Sequence, residues 1–403
     1  MTEARRAEDA RIFNRRLVFE TICQLGPISR VEIGGATGLK PQTISPITRE
    51  LLDQGLISEA GRSSGLRGQP QIYLEPNARA GFSAGVHLDR NVFLLVVYDL
   101  KRNELVRRQV ACDTRLPSDT LKRIASELEG ALADAGAPRD KVWGVGLVLP
   151  TFGSEVYDFD FSMPHWEAWR DVGFADELRA LCGLPILVEN DATAAAIGER
   201  FHRADTGSSS FVYFYIGRGT GAGLIIDGAP FKGFGGNSGE MGLLPIFGLD
   251  GSPVWPEHKT IDVLSLGGLA RACGVEEFDL VAEELVRLHQ VRDHRLMEWL
   301  RAASDTLRDV TAVFEVLFDP EFISVGGALP REIIQTLVDL AYPLRPTPAA
   351  RRDRTKARLV AAELIEDAAV KGAALLPIFV NTSPNFRHLY IRQISQDHRP
   401  FDH

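Results

Sequence analysis

Cysteine is scarce in this sequence, at four of 403 residues. The four positions lie far apart and form neither a metal-ligand spacing nor a disulfide framework. They are Cys23, Cys112, Cys182 and Cys273. We interpret them as small hydrophobic side chains, which we expect to find buried.

Long hydrophobic runs are also missing, since no apolar stretch approaches the about 20 residues of a membrane-spanning helix. The charged N-terminus lacks the apolar core that a signal peptide needs. We therefore expect the protein to stay in the cytoplasm. There is no internal repeat and no low-complexity segment. The chain is long enough for two or three domains, and its hydrophobic content of 45% is that of an ordinary globular protein.

Positive charge is in deficit over most of the chain, which has a net charge of −9 at pH 7. The deficit is uneven, because residues 1–80 carry a small excess of basic side chains while the remainder is acidic. A polyanionic partner is therefore expected to meet the N-terminal part of the chain.

What the N-terminal part does contain is a helix-turn-helix pattern. Residues Arg11–Gln24 have apolar side chains at a helical period. Ser29 is a good N-cap with Glu32 as its capping-box partner, which predicts a short helix over Arg30–Thr37. A third helix is predicted over Gln42–Gln54. In this plan the last helix lies in the major groove of DNA and presents its first side chains to the bases.

Two features qualify the helix-turn-helix interpretation. Pro46 lies inside the third helix, where it removes a backbone hydrogen bond and is expected to kink the helix. The same three helices would also suit a protein–protein interaction module. A wing is predicted to follow the third helix.

The wing consists of two predicted strands, residues 56–59 and 71–74, joined by the basic loop Ala60–Pro70. An arginine in such a loop is suited to a minor groove. The candidate DNA-binding residues lie at the start of the third helix, on its exposed face and in the wing. They are Lys40, Gln42, Thr43, Ser45, Arg49, Arg62 and Arg67.

A second notable stretch is Tyr215–Gly242, which is rich in glycine. A predicted strand runs into Gly217–Gly223, and a second strand is predicted to resume at Leu224. Alternating glycines between two apolar runs suit a tight hairpin whose backbone N–H groups approach a phosphate, or a plain glycine-rich turn with no ligand. After the hairpin, Glu240 adds a carboxylate. Before the hairpin, Glu189-Asn190-Asp191 add acidic and amide groups at the end of another predicted strand. Together these groups predict a sugar-and-nucleotide cleft.

Four motifs in this order resemble those of the ROK family of sugar kinases and sugar-responsive repressors. They are ENDA at Glu189–Ala192, GRGTGAG at Gly217–Gly223, SGE at Ser238–Glu240 and VGGAL at Val325–Leu329. The resemblance covers nearly the whole chain, and the N-terminal part is similar to the winged-helix head of the family's repressors. It implies an α/β fold, with an N-terminal winged helix-turn-helix followed by two actin-like (ribonuclease H-like) α/β lobes around a cleft.

The predicted domains follow from this resemblance and from the change of pattern near Phe82. Residues 1–76 are the winged helix-turn-helix domain, residues 77–81 a linker, residues 82–190 and 191–380 the two lobes, and residues 381–403 a C-terminal tail. We interpret the tail as a disordered or packing segment rather than a site.

The resemblance also implies which parts of a kinase are missing. The family's first phosphate loop, of the form Asp-x-Gly-Gly-Thr, corresponds here to His87-Leu88-Asp89-Arg90-Asn91. Both glycines of that loop are lost here. Side chains therefore occupy the space in which the backbone would approach the phosphate oxygens, and the Asp89 carboxylate would repel those oxygens. Phosphoryl transfer depends mostly on positioning and charge stabilisation. We therefore expect no catalytic residues, no nucleotide chemistry and no cofactor, although Asp191 matches the family's catalytic base.

The sugar contacts of the family are kept in part. Asn190, Asp191 and Glu240 match sugar-binding positions of the family. His165 lies where the family usually has an asparagine that helps to bind the sugar. The family's zinc-binding cysteine cluster is absent from Asp250–Lys259, and Leu243 replaces a family histidine that contacts both sugar and zinc. We therefore predict no metal site.

These observations predict a cytoplasmic transcriptional regulator, most simply a repressor, that forms a dimer or tetramer on operator DNA and responds to a sugar or sugar derivative. The first alternative is an active ATP-dependent sugar kinase with a DNA-binding head. The second is an interaction scaffold with a vestigial cleft. The sequence leaves the sugar, the operator and the direction of the response open.

Overall fold

The computed structural model describes residues 3–62, 71–149, 168–169, 172–203, 209–245, 259–276, 280–384 and 390. The chain divides into two units: the first consists of Met1–Glu189 with Ala373–His403, and the second of Asn190–Gly372. The domain boundaries that we predict from the sequence are not tested by this division and stay a prediction. No helix among the described residues combines the length and apolar character needed to span a membrane.

The N-terminal head, residues 1–76, forms three helices and a small antiparallel sheet. Its elements are α1 (Glu3–Leu25), β1 (Ile28–Ser29), α2 (Arg30–Thr37), α3 (Pro41–Asp53), β2 (Ile57–Arg62) and β3 (Ile72–Pro76), with the strand order β1-β3-β2. The helix predicted over Arg30–Thr37 is confirmed, and so is its capping box, in which Glu32 N–H donates to Ser29 Oγ and Ser29 N–H donates to Glu32. The expected kink at Pro46 does not interrupt α3, which is continuous through that residue.

The first unit contains a five-stranded mixed sheet beside the head. Its elements are β4 (Phe82–Asp89), β5 (Val92–Asp99), β6 (Glu104–Ala111), α4 (Pro117–Asp134), β7 (Val142–Val148), α5 (Phe174–Cys182) and β8 (Ile186–Glu189). The strand order is β6-β5-β4-β7-β8, in which β4, β5 and β6 are antiparallel neighbours while β7 and β8 are parallel. The core lies between this sheet and the apolar faces of α4 and α5.

The segment predicted as a linker, residues 77–81, is an ordered turn that packs on the first-unit sheet. Ala78–Ala80 form a 3-10 turn that Asn77 caps through its side chain. The Ala78 carbonyl accepts a hydrogen bond from Leu100 N–H at 3.3 Å. A Cβ atom at Gly81 would lie 2.6 Å from the Trp143 ring, so only glycine fits there. The head is therefore bonded to the rest of the first unit.

The second unit repeats the same sheet topology. Its elements are α6 (Asp191–His202), β9 (Phe211–Ile216), β10 (Thr220–Ile226), β11 (Ala229–Pro230), α7 (Thr260–Val263), α8 (Leu266–Cys273), α9 (Ala282–Gln290), α10 (His294–Phe318), β12 (Ile323–Gly327), α11 (Arg331–Ala341), β13 (Leu359–Ala361) and the start of α12 (Ala368–Thr382), which belongs to the first unit from Ala373 on. The order β11-β10-β9-β12-β13 again joins an antiparallel meander to two parallel strands. The predicted fold class, a winged helix-turn-helix followed by two actin-like α/β lobes, is confirmed.

Candidate functional site

The N-terminus of α6 carries two of the predicted sugar-binding residues. Asn190 is the N-cap, and its Oδ1 accepts a hydrogen bond from Thr193 N–H at 2.7 Å. Asp191 follows as the first helical residue, and its Oδ1 accepts from Ala192 N–H at 2.8 Å. Both side chains are partly exposed, whereas the next eight residues of the helix are buried. A carboxylate at this end of a helix is stabilised by the helix dipole.

The alternating glycines of residues 217–223 have a different role from the one that the sequence suggested. Strand β10 begins at Thr220 rather than at Leu224, so Gly221 and Gly223 lie inside the strand and not in a loop. A Cβ atom at Gly223 would overlap the Ala192 carbonyl oxygen, and one at Gly221 would lie 3.2 Å from Ala192 Cβ. These two glycines let α6 lie directly against β10. The phosphate-loop interpretation was wrong for them, because a helix occupies the space.

Glu240 lies in a loop that is attached to the same strand. Ala222 N–H donates a hydrogen bond to the Gly239 carbonyl at 2.7 Å, and Gly239 has a positive φ of 87°. A side chain at Gly239 would overlap the Ala222 carbonyl oxygen, so the close approach requires glycine. The Glu240 side chain is partly buried, and this burial raises the pKa of its carboxyl above the ordinary value.

The two segments meet at Gly221. The position of a Cβ atom at Gly221 is 3.2 Å from Ala192 Cβ and 4.0 Å from the Gly239 carbonyl oxygen. Asp191 is the residue before Ala192, and Glu240 is the residue after Gly239. The backbone segments that carry Asn190, Asp191 and Glu240 therefore both pack on β10 within the second unit. Carboxylate and amide groups placed in this way suit the vicinal hydroxyl groups of a sugar.

His165, the fourth predicted sugar-binding residue, lies outside the described residues. So does most of Asp250–Lys259, the segment on which the absence of zinc was argued. Among the residues that the structure describes, no three His, Cys, Asp or Glu side chains cluster as metal ligands. Asp262 accepts a hydrogen bond from Lys259 N–H at 2.7 Å and so caps α7.

In the turn that we matched to the family's first phosphate loop, two backbone N–H groups donate hydrogen bonds to side chains. Arg90 N–H donates to Asp89 Oδ1 at 2.6 Å, and Asn91 N–H donates to the Thr114 hydroxyl at 2.9 Å. Asn91 has a positive φ of 59°, as the tight turn between β4 and β5 requires. The backbone donors that would hold a phosphate are therefore engaged. The sequence signalled the loss of the glycines but not the contribution of Thr114.

The predicted DNA-binding residues of α3 share one exposed face. Gln42, Ser45 and Arg49 are exposed, while Ile44, Ile47 and Leu51 face the core of the head. A spacing of three and four residues places side chains on the same side of a helix. Lys40, just before the helix, is exposed as well, and Thr43 is partly exposed.

The support for this face comes from a neighbouring helix. Arg30 on α2 donates a hydrogen bond from Nε to the hydroxyl of Thr48 at 2.8 Å, and Thr48 is completely buried. This bond fixes α3 against α2. In the wing, Arg62 is exposed at the end of β2, whereas Arg67 lies outside the described residues.

One contact beside the site was missed in the sequence. Tyr390, in the predicted tail, is buried and donates a hydrogen bond from its hydroxyl to Glu189 Oε2. Glu189 belongs to the ENDA motif but had been given no role. No local signal could have revealed the contact, because its partners are 201 positions apart.

Comparisons with known proteins identify the family and several similar proteins. The family model described as ROK family matches residues 83–378. An uncharacterized protein of Sinorhizobium fredii, y4fQ, is 29% identical over 367 residues, which are 91% of this chain and 91% of that protein. The DNA-binding transcriptional dual regulator NagC of Escherichia coli is 25% identical over 386 residues, which are 90% of this chain and 92% of that protein.

A similar fold is found in a crystal structure described as a ROK family transcriptional regulator, a homolog of the E. coli MLC protein. The TM-score is 0.68 at 24% identity, and the match covers 92% of this chain and 96% of that one. At this identity the likeness concerns the fold alone.

Proposed function

The chain belongs to the ROK family, and from this premise we propose that it is a DNA-binding transcriptional regulator, a repressor, whose operator affinity responds to a sugar or sugar derivative. The observation that carries the proposal is the polar, exposed face of α3, packed in a head of three helices and a small antiparallel sheet among the described residues. A sugar kinase of the family does not need such a face for phosphoryl transfer. The dual regulator NagC, whose length this chain matches almost entirely, also supports it.

For DNA binding, we assign base contacts to the start of α3 and phosphate contacts to the basic side chains. Gln42, Thr43 and Ser45 offer donors and acceptors for base edges in the major groove. Lys40, Arg49, Arg62 and Arg67 supply positive charge for the phosphate backbone. A dimer or tetramer of the chain would bind two half-sites about 34–36 Å apart, and this action on DNA places the protein in the cytoplasm.

For the effector, we assign the binding site to Asn190, Asp191 and Glu240, with His165 as a further contact. The first three are held together by the packing of α6 and the Glu240 loop on β10. Their polar atoms are suited to accept and donate hydrogen bonds to sugar hydroxyl groups. No metal or nucleotide is part of the assignment.

We further propose that the protein is not an enzyme. Its first phosphate loop has lost both glycines, and the N–H groups of Arg90 and Asn91 already bind Asp89 and Thr114. An incoming phosphate would have to displace two hydrogen bonds and approach a carboxylate. Catalysis of phosphoryl transfer relies on preorganised positive groups, and this turn offers the opposite. Asp191 then serves to bind a sugar hydroxyl rather than to deprotonate it.

The proposal is tested with the full-length protein. DNA fragments are selected from a random pool, and the affinity for the selected sequence is measured by fluorescence anisotropy with and without D-glucose, D-xylose and N-acetyl-D-glucosamine. We expect a palindromic sequence to be enriched and one sugar to change its affinity. Failure to enrich any sequence would refute the regulator. Sugar-dependent consumption of ATP that is lost in Asp191→Ala would establish the kinase instead.

A further inference from the structure

A buried tyrosine of the C-terminal segment contacts the ENDA motif. Tyr390 is 1% exposed, and its hydroxyl donates a hydrogen bond to Glu189 Oε2, whose residue is 7% exposed. Burial and then the charge of Glu189 raise the pKa of Tyr390 well above its ordinary value. The phenol therefore keeps its proton, and the donor persists at any physiological pH.

The place of Glu189 in the sheet makes this bond consequential. Glu189 is the last residue of β8, a strand of four residues that lies at the edge of the sheet among the described residues and pairs there with β7. Its register partner Val148 is also the last residue of its strand. The end of an edge strand has ladder hydrogen bonds on one side only, so a side-chain contact contributes strongly to its position. Here that contact comes from the tail.

The residues that follow Glu189 directly are Asn190 and Asp191. Asn190 can accept from Thr193 N–H only if its backbone leaves the strand at the correct angle, because the N-cap has an extended backbone, at φ −80° and ψ 163°. A shift at the end of β8 would therefore change the orientation of the cap. It would change the orientation of the Asp191 carboxylate for the same reason.

We propose that Tyr390 is a positioning residue for the effector site, which holds Glu189 so that Asn190 and Asp191 keep the orientation that a sugar requires. The inference rests on the proposed function, because it concerns the same residues. Removal of the hydroxyl deprives a buried carboxylate of a donor, and a buried acceptor that loses a partner favours rearrangement toward water. The end of β8 would then move, and the cap of α6 would loosen.

The first test needs no ligand. Hydrogen–deuterium exchange is followed by mass spectrometry in the wild type, in Tyr390→Phe and in Tyr342→Phe. Tyr342 is the control, since its hydroxyl donates to the Leu359 carbonyl at 2.9 Å in another part of the fold. In Tyr390→Phe we expect about tenfold faster exchange in peptides that contain the Ala192 and Thr193 amides, and no change in peptides from β9.

The control should leave the Ala192 and Thr193 amides as they are in the wild type. Wild-type exchange at these amides in Tyr390→Phe would overturn the proposal. So would faster exchange throughout the protein, since that would indicate a general loss of stability.

The second test uses a sugar from the panel that the wild type binds. Tyr390→Phe should weaken that sugar by about tenfold and leave the sugar-free operator affinity unchanged. An equal loss of operator affinity would indicate general destabilisation and overturn the assignment. If the wild type binds no sugar, the proposed function fails, whereas the exchange experiment still decides whether Tyr390 positions the start of α6.

Discussion

At the scale of the residue, the proposed effector site contains a carboxyl group in an unfavourable environment. Burial raises the pKa of Glu240, so the folded protein holds a proton on this group more tightly than the unfolded chain does. Because burial disfavours the charged form, ionisation of this carboxyl group costs stability in the folded protein. The cost is absent below the ordinary pKa of 4.5 and develops as the pH rises through the raised value. Binding residues often retain such a cost, because their favourable partner is the ligand.

We therefore expect Glu240→Gln to increase the free energy of unfolding at pH 7.5, because the substitution removes the buried charge. The gain should shrink as the pH is lowered toward 4.5. The same variant should lose the response to sugar. Urea unfolding at a series of pH values measures the first effect, with Glu298→Gln on the exposed face of α10 as the control. A gain that is as large at pH 4.5 as at pH 7.5 would contradict the argument.

At the scale of the element, the position of α6 depends on glycine residues, which have no side chain at the points of contact. Gly221 and Gly223 on β10 allow the first turns of α6 to lie on the strand, and Gly372 on α12 allows a second close approach at the Ala194 carbonyl. The helix that carries Asn190 and Asp191 is thus held by backbone contacts. Protein interiors are close-packed, so an added methyl group at such a contact must displace the backbone.

The packing of α6 predicts a contrast between two glycines of the same motif. Gly223→Ala should lower the free energy of unfolding by about 1–3 kcal/mol, because its Cβ would overlap the Ala192 carbonyl oxygen. Gly219→Ala is the matched control, since a Cβ there meets nothing within 4 Å. It should change stability by less than about 0.5 kcal/mol. Equal effects in urea unfolding would show that α6 does not depend on the glycines of β10.

A second prediction at this scale concerns the recognition helix and the wing. Gln42→Ala should cost about 1–3 kcal/mol of binding free energy on a selected operator and relax the preference at one base pair. Arg67→Ala should weaken all sequences alike and reduce the slope of log K against log salt by about 1. Anisotropy titrations at several salt concentrations distinguish the two. Unchanged affinity in both variants would rule out this assignment of the DNA face.

At the scale of the whole molecule, side-chain contacts as well as the chain itself join the head to the rest of the first unit. Arg16 on α1 donates from Nη1 to the Val380 carbonyl of α12 at 3.5 Å. Glu75 at the end of the head also forms an ion pair with Lys101 of the first-unit sheet region at 2.7 Å. A rearrangement of the first unit is therefore expected to move the head with it. A ligand alters DNA affinity only when it binds the DNA-competent and DNA-incompetent states unequally.

We expect the cognate sugar to change operator affinity by about 5–150-fold, the range of typical allosteric couplings, and to weaken it. Asp191→Ala should abolish the change and leave the sugar-free operator affinity intact, because Asp191 lies outside the head. Anisotropy titrations with and without the sugar measure both, and Glu298→Ala serves as the control. A wild-type response in Asp191→Ala would place the effector site elsewhere.

Much of this protein could be predicted where the decisive interactions are local or where several motifs act together. The capping box of α2 joins residues three positions apart, so Ser29 and Glu32 were sufficient to place the helix. The apolar period of α3 likewise determined which side chains face outward. Four motifs in order were sufficient to predict the family and the fold class, both of which are confirmed.

Only the tertiary structure decided matters that depend on distant partners. Glycine is compatible with a phosphate loop and with a helix packed on a strand, and the position of α6 alone distinguishes these roles at Gly223. Thr114 reaches the turn at Asn91 from 23 positions away, and Tyr390 reaches Glu189 from 201 positions away. The local pattern of a sequence reports the backbone and burial preferences of each segment. It does not report which distant segment will fill the adjoining space, because the packing of the whole chain determines that.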